Sequence, residues 1–331
     1  MDRDRCTGCG ICVNLCPTEA FTWKKFRQDL LSRTSEKTGP MVVGCHLGGH
    51  QGGSAGRAEM VVPCLAALDE GILAALLAQR RSQVWLDDAG CSNCNIWSGR
   101  EIARRTAEAV NRLAAAFGLA GRVILGHPGE EIPVPAEGDA CTRREFFSFL
   151  GKEGRERVAS LLDELRPAGG EKAGLGSRIP PKRALLLRVT RQHGVFSDSG
   201  KRCEDAVFTA LSLSPECTGC GECAFFCPTA ALMVEEDQSY QRIAFDLSSC
   251  VGCGLCREIC PVGAVQMSRA FSPREVLPAG RNTLVEHPRG QCEGCGRSMV
   301  KKKEGGEGEL LCSSCQKERD LDRSFLDMVS T

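Results

Sequence analysis

Two stretches of this chain present sulfur at spacings that chemistry can use. "CTGCGECAFFCP" supplies Cys217, Cys220, Cys223 and Cys227, and "CVGCGLCREICP" supplies Cys250, Cys253, Cys256 and Cys260, each fourth cysteine being followed by proline. In a C-x2-C-x2-C-x3-C run, a tight loop offers three thiolates to three irons of one cubane, and the fourth cysteine points to the neighbouring cluster. The spacing therefore predicts two [4Fe–4S] clusters with crossed ligands. One takes Cys217, Cys220, Cys223 and Cys260; the other takes Cys250, Cys253, Cys256 and Cys227. Glycines beside the second cysteine of each run leave room for backbone close to the sulfides.

The elements needed to position these loops are legible around them. "AVFTALSL" alternates as a strand does, and "ALMVEE" with "YQRIAFDL" reads as a hairpin. With both motifs and both prolines in register, residues 205–272 resemble the two-[4Fe–4S] bacterial-type ferredoxin domain. Residues 1–28 hold a third copy, "RCTGCGICVNLCP", with Cys6, Cys9, Cys12 and Cys16. Cys6, Cys9 and Cys12 are expected to ligate one further cubane by the same loop geometry. The partner of Cys16 stays open. It could turn in to its own cluster, a middle-domain cysteine could complete the site, or the motif could be the second half of a pair whose first half lies upstream.

Between residues 40 and 128 the pattern changes to strand–helix alternation. "MVVGC", "EMVVPC", "QVWLDDAGCSNC" and "RVILG" are apolar runs; "LAALDEGILAALLAQRR" and "GREIARRTAEAVNRLAAAFG" are helical, the first with an apolar stripe. Alternation at this length implies a Rossmann-like parallel sheet, with chemistry in the loops after strand C-termini. Cys45, Cys64, Cys91 and Cys94 all fall at such ends, so a metal site is expected there. The run "VPCLAALDEGILAALLAQRRSQVWLDDAGCSNC" resembles the small iron–sulfur delta subunit of methyl-viologen-reducing hydrogenases. That resemblance implies an iron–sulfur cluster and electron passage between a hydrogenase or formate dehydrogenase and a flavin-containing partner. "GCHLGGHQGG" stands where the family has its first cysteine pair, which leaves Cys45 alone there and the cluster type open between [2Fe–2S] and [4Fe–4S]. His46 and His50, in a glycine-rich loop, read as solvated turn residues.

Near the C-terminus, within residues 290–318, Cys292, Cys295, Cys312 and Cys315 give C-x2-C-x16-C-x2-C. This spacing matches a zinc ribbon, in which two thiolate knuckles share one tetrahedral ion. Rubredoxin-type iron uses the same four sulfurs, but the C-P-x-C-G knuckle is absent.

The composition agrees with metal chemistry in a reducing, cytoplasmic setting. The chain has 331 residues and 22 cysteines, most of them in C-x2-C units, which fits metal ligation better than disulfides. "MDRDRCTGCG" has no apolar core, so no secretory signal is expected, and no apolar run is long enough to span a membrane. Lysine plus arginine equals aspartate plus glutamate at 42 each, which gives no electrostatic case for nucleic acid. "CTRREFFSFLG" contains paired arginines but lies far inside the chain, and Thr142 to Glu145 reads as the capping box of a helical segment over 141–166. Cys141 and Cys203 have no C-x2-C partner and read as plain thiols. Residues 167–182 are a Gly/Pro-rich linker, and "SPREVLPAGRNTLVEHPRG" reads as a second. No phosphate loop, dinucleotide fingerprint or nucleophile–base pair is evident.

The sequence thus predicts a multidomain chain, α/β plus α+β, combining a parallel-sheet domain, a ferredoxin-like dicluster domain and a small zinc ribbon. Its expected work is electron transfer without substrate chemistry of its own, joining a hydrogenase- or formate dehydrogenase-type oxidoreductase to a second redox partner. The rival expectation is a redox-sensing or scaffold protein whose clusters and zinc are structural.

Overall fold

The computed structural model describes residues 6–23, 26–27, 30–31, 39–47, 58–79, 83–126, 179–194, 203–204, 207–276, 281–301 and 310–329. The expected 141–166 helix, Cys141, His50 and most of the 167–182 linker lie outside them. The described residues all fall in one compact unit made of residues 1–127 and 176–331.

The middle segment folds as a four-stranded parallel sheet. Its strands are β1 (Met41–Cys45), β2 (Met60–Val62), β3 (Gln83–Leu86) and β4 (Arg122–Leu125), in the order β2-β1-β3-β4. Short β-branched strands buried under helices suit a parallel sheet. The chain leaves β1 to one side for β2 and then crosses to β3 on the other, so the carboxyl ends of β1 and β3 flank the switch point.

Two helices connect these strands. The first, α2 (Glu70–Ala78, after the short α1 introduced below), is capped by Asp69, whose carboxylate accepts the Ile72 amide at 2.9 Å. Sequence periodicity predicts a longer helix with one apolar stripe. Instead Leu65–Ala67 form a separate 3-10 turn, and Gly71 to Leu77 are buried on every side. The reason is another helix, α4 (Pro181–His193), which packs across its outer face; a Cβ on Gly71 would stand 2.6 Å from the Lys182 carbonyl. The second connector, α3 (Trp97–Phe117), ends as predicted at Gly118, which takes φ 63.

Residues 207–276 build the ferredoxin-like part. β6 (Ala210–Leu213) pairs antiparallel with β9 (Val265–Ser268), and β7 (Leu232–Glu236) with β8 (Tyr240–Phe245). The second hairpin closes where Asp237 accepts the amides of Ser239 and Tyr240. Phe208 and Phe271 meet Phe117 of α3 with ring centroids 6.1 and 6.3 Å apart, so the parallel-sheet and ferredoxin-like parts share one core.

The expected second linker is a strand over much of its length. β11 (Asn282–Gln291) pairs with β8 as far as Pro288 and with β12 (Ser298–Val300) from Arg289 onward. Pro288 sits where one neighbour hands over to the other, a point at which a missing N–H costs little. The cysteine-rich C-terminal segment is therefore joined to the dicluster hairpin in a single sheet, β12-β11-β8-β7, and the last described element is α7 (Ser313–Val329).

Candidate metal centres

The three C-x2-C-x2-C-x3-C loops share one backbone. The glycine before the second cysteine has φ 67, 71 and 64 (Gly8, Gly219, Gly252), and the glycine after it has φ 80, 78 and 79 (Gly10, Gly221, Gly254). The latter starts a short helix in each case: α1 (Ile11–Leu15), α5 (Glu222–Phe225) and α6 (Leu255–Glu258). Three residues beyond each fourth cysteine, Glu19, Ala230 and Gly263 are all left-handed, at φ 50, 51 and 66. This turn brings an amide onto the fourth sulfur: Ala20 N–H donates to Cys16 Sγ at 3.3 Å, as Ala264 N–H does to Cys260 Sγ at 3.2 Å. The N-terminal loop therefore has the conformation of the dicluster loops, including the presentation of its last cysteine.

Within the dicluster region the thiols crowd one another. Burial, then Cys217 and Cys220, push Cys223 up to about 11. Burial likewise pushes Cys250 up to about 11, against the Gly252 amide and the Arg183 guanidinium, with Cys227 and Cys256 adding to the rise. Cys256 is raised by burial, then by Cys253 and Cys227. Cys227, from the first motif, thus lies beside two cysteines of the second. Thiolates gathered this way repel one another, and iron is the partner that offsets the repulsion.

The N-terminal loop is seated on the middle domain. Buried Asn14 donates from Nδ2 to the carbonyls of Ala66 and Leu68, both at 3.0 Å. Glu19, also buried, accepts from Arg27 at 2.7 Å and from the Lys182 amide at 2.8 Å, and Arg27 reaches Asp69 at 2.7 Å. Ala230 takes the same left-handed turn without a polar side chain, so the Glu19 carboxylate serves to tie the loop to Arg27 and Lys182. Lys182 is a half-buried residue whose ammonium donates to the carbonyls of Asn14 at 2.8 Å and Cys16 at 2.6 Å.

Next to this loop the middle-domain cysteines converge at the strand ends. Cys45 closes β1, Cys64 follows β2, and Cys91 and Cys94 flank the 3-10 turn after β3. A hydrogen bond shared with Cys45, burial, and the charges of Cys45 and Cys9 raise the Cys64 thiol strongly. Burial, Cys45, Asp88 and Cys94 push Cys91 up to about 11. Gly99 of α3 leaves the space that Cys64 uses, since a Cβ there would stand 3.1 Å from its sulfur. The N-terminal loop lies against this site, a Cβ on Gly10 standing 2.8 Å from the Ala67 side chain, and Cys9 adds to the rise of Cys64, a juxtaposition that the spacing alone leaves open. His46 follows β1, its amide donating to the Val62 carbonyl at 2.7 Å.

At the C-terminus the sulfurs of Cys292, Cys295, Cys312 and Cys315 lie within 4.8 Å of one another, and Cys295 and Cys312 are 3.8 Å apart. Metal–sulfur bonds of ~2.3 Å in a tetrahedron place sulfurs about 3.8 Å apart, so these residues fit a single ion. The first pair follows β11 as a knuckle, with the Gly296 amide donating to the Cys292 carbonyl at 2.7 Å. The second pair stands at the start of α7, where a ribbon would have a second hairpin. The Cys312 amide donates to Cys292 Sγ at 3.2 Å, and such backbone bonds bring the Cys292 thiol down to about 6. Cys203 lies half-buried in the short strand β5 (Cys203–Glu204), away from any C-x2-C unit in sequence.

The functional residues that spacing does not reveal are Asn14, Glu19, Lys182 and Arg183. The fold brings Lys182 to the N-terminal loop across 166 positions, and no local pattern signals that.

Comparison with known families agrees with two of these centres. Residues 216–264 match the 4Fe-4S dicluster domain, and residues 1–22 match a 4Fe-4S binding domain. No curated protein matches the chain. The chain thus carries two ferredoxin-type 4Fe–4S domains, which support an iron–sulfur electron-transfer role, together with a four-cysteine metal-binding site at Cys292–Cys315. No helix among the described residues is long and apolar enough to cross a membrane.

Proposed function

We propose that this protein is a relay subunit that passes single electrons through a series of iron–sulfur clusters and performs no substrate chemistry itself. Cys217, Cys220, Cys223 and Cys260 would hold one cubane, and Cys250, Cys253, Cys256 and Cys227 a second. Cys6, Cys9 and Cys12 would hold a third, next to a site formed by Cys45, Cys64, Cys91 and Cys94. A bound cluster supplies reversible one-electron storage; the protein supplies the thiolates, the spacing and the exclusion of water. Cys292, Cys295, Cys312 and Cys315 would hold a structural zinc.

The observation that carries this reading is the docking of the N-terminal loop on the middle domain. Asn14 ties the two together, and Cys9 comes close enough to Cys64 for charge on one to disfavour charge on the other. Two redox sites built side by side suit passage between them better than independent structural roles. The strand–helix–strand run ending at Cys91 and Cys94 supports a hydrogenase- or formate dehydrogenase-type oxidoreductase at one end of the relay and a flavin-containing partner at the other.

The test is anaerobic reconstitution followed by a reductive titration monitored by electron paramagnetic resonance. Several reversible low-potential steps are expected from a folded protein. Clusters that cannot be reduced without loss of fold would overturn the relay and favour the sensing or scaffold role.

A further inference from the structure

The first turn of α4 carries two consecutive cations that reach two different cysteine loops. Lys182 donates to the carbonyls of Asn14 and Cys16, at the end of the N-terminal loop. Arg183 is 5% exposed and turns the other way. Its guanidinium donates to Ser248 at 3.0 Å, Val207 at 2.9 Å, Leu247 at 3.2 Å and Cys250 at 2.5 Å, all backbone carbonyls. Its outer face is covered by Phe208, whose ring centroid lies 4.2 Å away. These contacts fix the turn that leads into the second dicluster loop. The helix itself is anchored at Gly71 against α2 and by Glu19 on the Lys182 amide.

We propose that Lys182 and Arg183 are positioning residues that fix the N-terminal loop and the second dicluster loop to one rigid helix end, and that their charges hold both clusters at higher reduction potentials than the loops alone would give. Adding one electron to a cluster adds one negative charge. A cation locked beside the loop favours the reduced form, and it does so most where water is excluded. Backbone carbonyls accept from these two side chains, and the Glu70 carboxyl, which burial holds above the usual carboxylate range, faces both; the Arg183 charge still acts on the Cys250 thiol. Both cations lie on one turn, so the two loops are held at one separation, as a one-electron path between them requires.

This inference rests on the relay reading, and one experiment separates their failures. Full-length wild type, Lys182→Gln, Lys182→Arg, Arg183→Met and Arg183→Lys are reconstituted anaerobically and assayed for iron. Each is then titrated by electron paramagnetic resonance, which reports midpoints from the loaded fraction whatever its size. Lys182→Gln keeps a donor and loses the charge. It should lower one midpoint by a tenfold fall in the reduction constant, about 59 mV for one electron. Lys182→Arg should restore that midpoint. Arg183→Met should lower a different midpoint, and Arg183→Lys should spare it. If Arg183→Met does not fold, the Lys182 pair decides alone. Unchanged midpoints in Lys182→Gln, or equal falls in Lys182→Gln and Lys182→Arg, overturn the inference and leave only a structural contact. A wild type with no reducible step overturns the relay itself.

Discussion

Cysteine spacing is the part of this molecule that sequence states outright. A C-x2-C-x2-C-x3-C run leaves so little backbone freedom that all three copies take the same left-handed glycines and the same final turn. What the run omits is the identity of the fourth partner. Cys16 Sγ accepts the Ala20 amide just as Cys260 Sγ accepts the Ala264 amide, so Cys16 is presented as a ligand. Cys16→Ser is therefore expected to remove one cubane signal by electron paramagnetic resonance while the dicluster signals persist; an unchanged spectrum would show Cys16 to be idle. A second residue-scale expectation concerns Gly219, whose φ of +71 and whose contact with β11 both exclude a side chain. A Cβ there would stand 2.8 Å from the His287 ring, which lies buried behind the first dicluster loop. Gly219→Ala should lose the iron of that loop's cluster, about four atoms per chain for a cubane, and an iron assay at wild-type level would refute the clash.

At the scale of elements, the strands and hairpins around the ferredoxin motifs were legible because period-two alternation and an Asp-led turn are local signals. Two elements were not. β11 contains Pro288 and Gly290 and reads as a linker, yet its pairing changes from β8 to β12 at the proline. The start of α4, Pro181 after Pro180, also reads as linker, although proline at a helix's first position suits the fixed φ. In both cases tertiary contacts select a structure that local composition disfavours. The shared sheet leads to a prediction for the C-terminal site. Cys295→Ser should release one metal ion per chain, read by elemental analysis, because three thiolates no longer complete the tetrahedron. β11 remains paired to β8 over Asn282 to Pro288 without that ion, so the iron of the dicluster should be unchanged. Loss of iron together with the ion would show that the hairpin depends on the C-terminal site. Zinc in the wild-type analysis would identify the ion, and a red visible spectrum would instead indicate iron.

The whole molecule differs most from a reading of separate modules in its continuity. One core runs from the parallel sheet through Phe117 to Phe208 and Phe271, and one helix touches the loops of two centres. The N-terminal loop, by contrast, depends on a few polar ties. Its helix α1 is five residues long, too short to be stable alone, and its exposed Leu15 adds no burial. Asn14 and Glu19 therefore carry much of its docking. Glu19→Gln breaks a buried charge network with Arg27 and Asp69, where removing one partner costs about 3 kcal/mol. Asn14→Leu leaves the carbonyls of Ala66 and Leu68 without this donor, at about 1–3 kcal/mol for each buried group so orphaned. Either change should release the N-terminal segment to limited proteolysis while the dicluster keeps its iron. The middle-domain site should also respond, because Cys9 then withdraws from Cys64. In a relay, the two neighbouring centres relax one another's paramagnetic signals, and undocking should slow that relaxation in Asn14→Leu. Relaxation that stays at the wild-type rate, in a chain whose N-terminus has become protease-sensitive, would mean that the two centres were never coupled and that the docking serves stability alone.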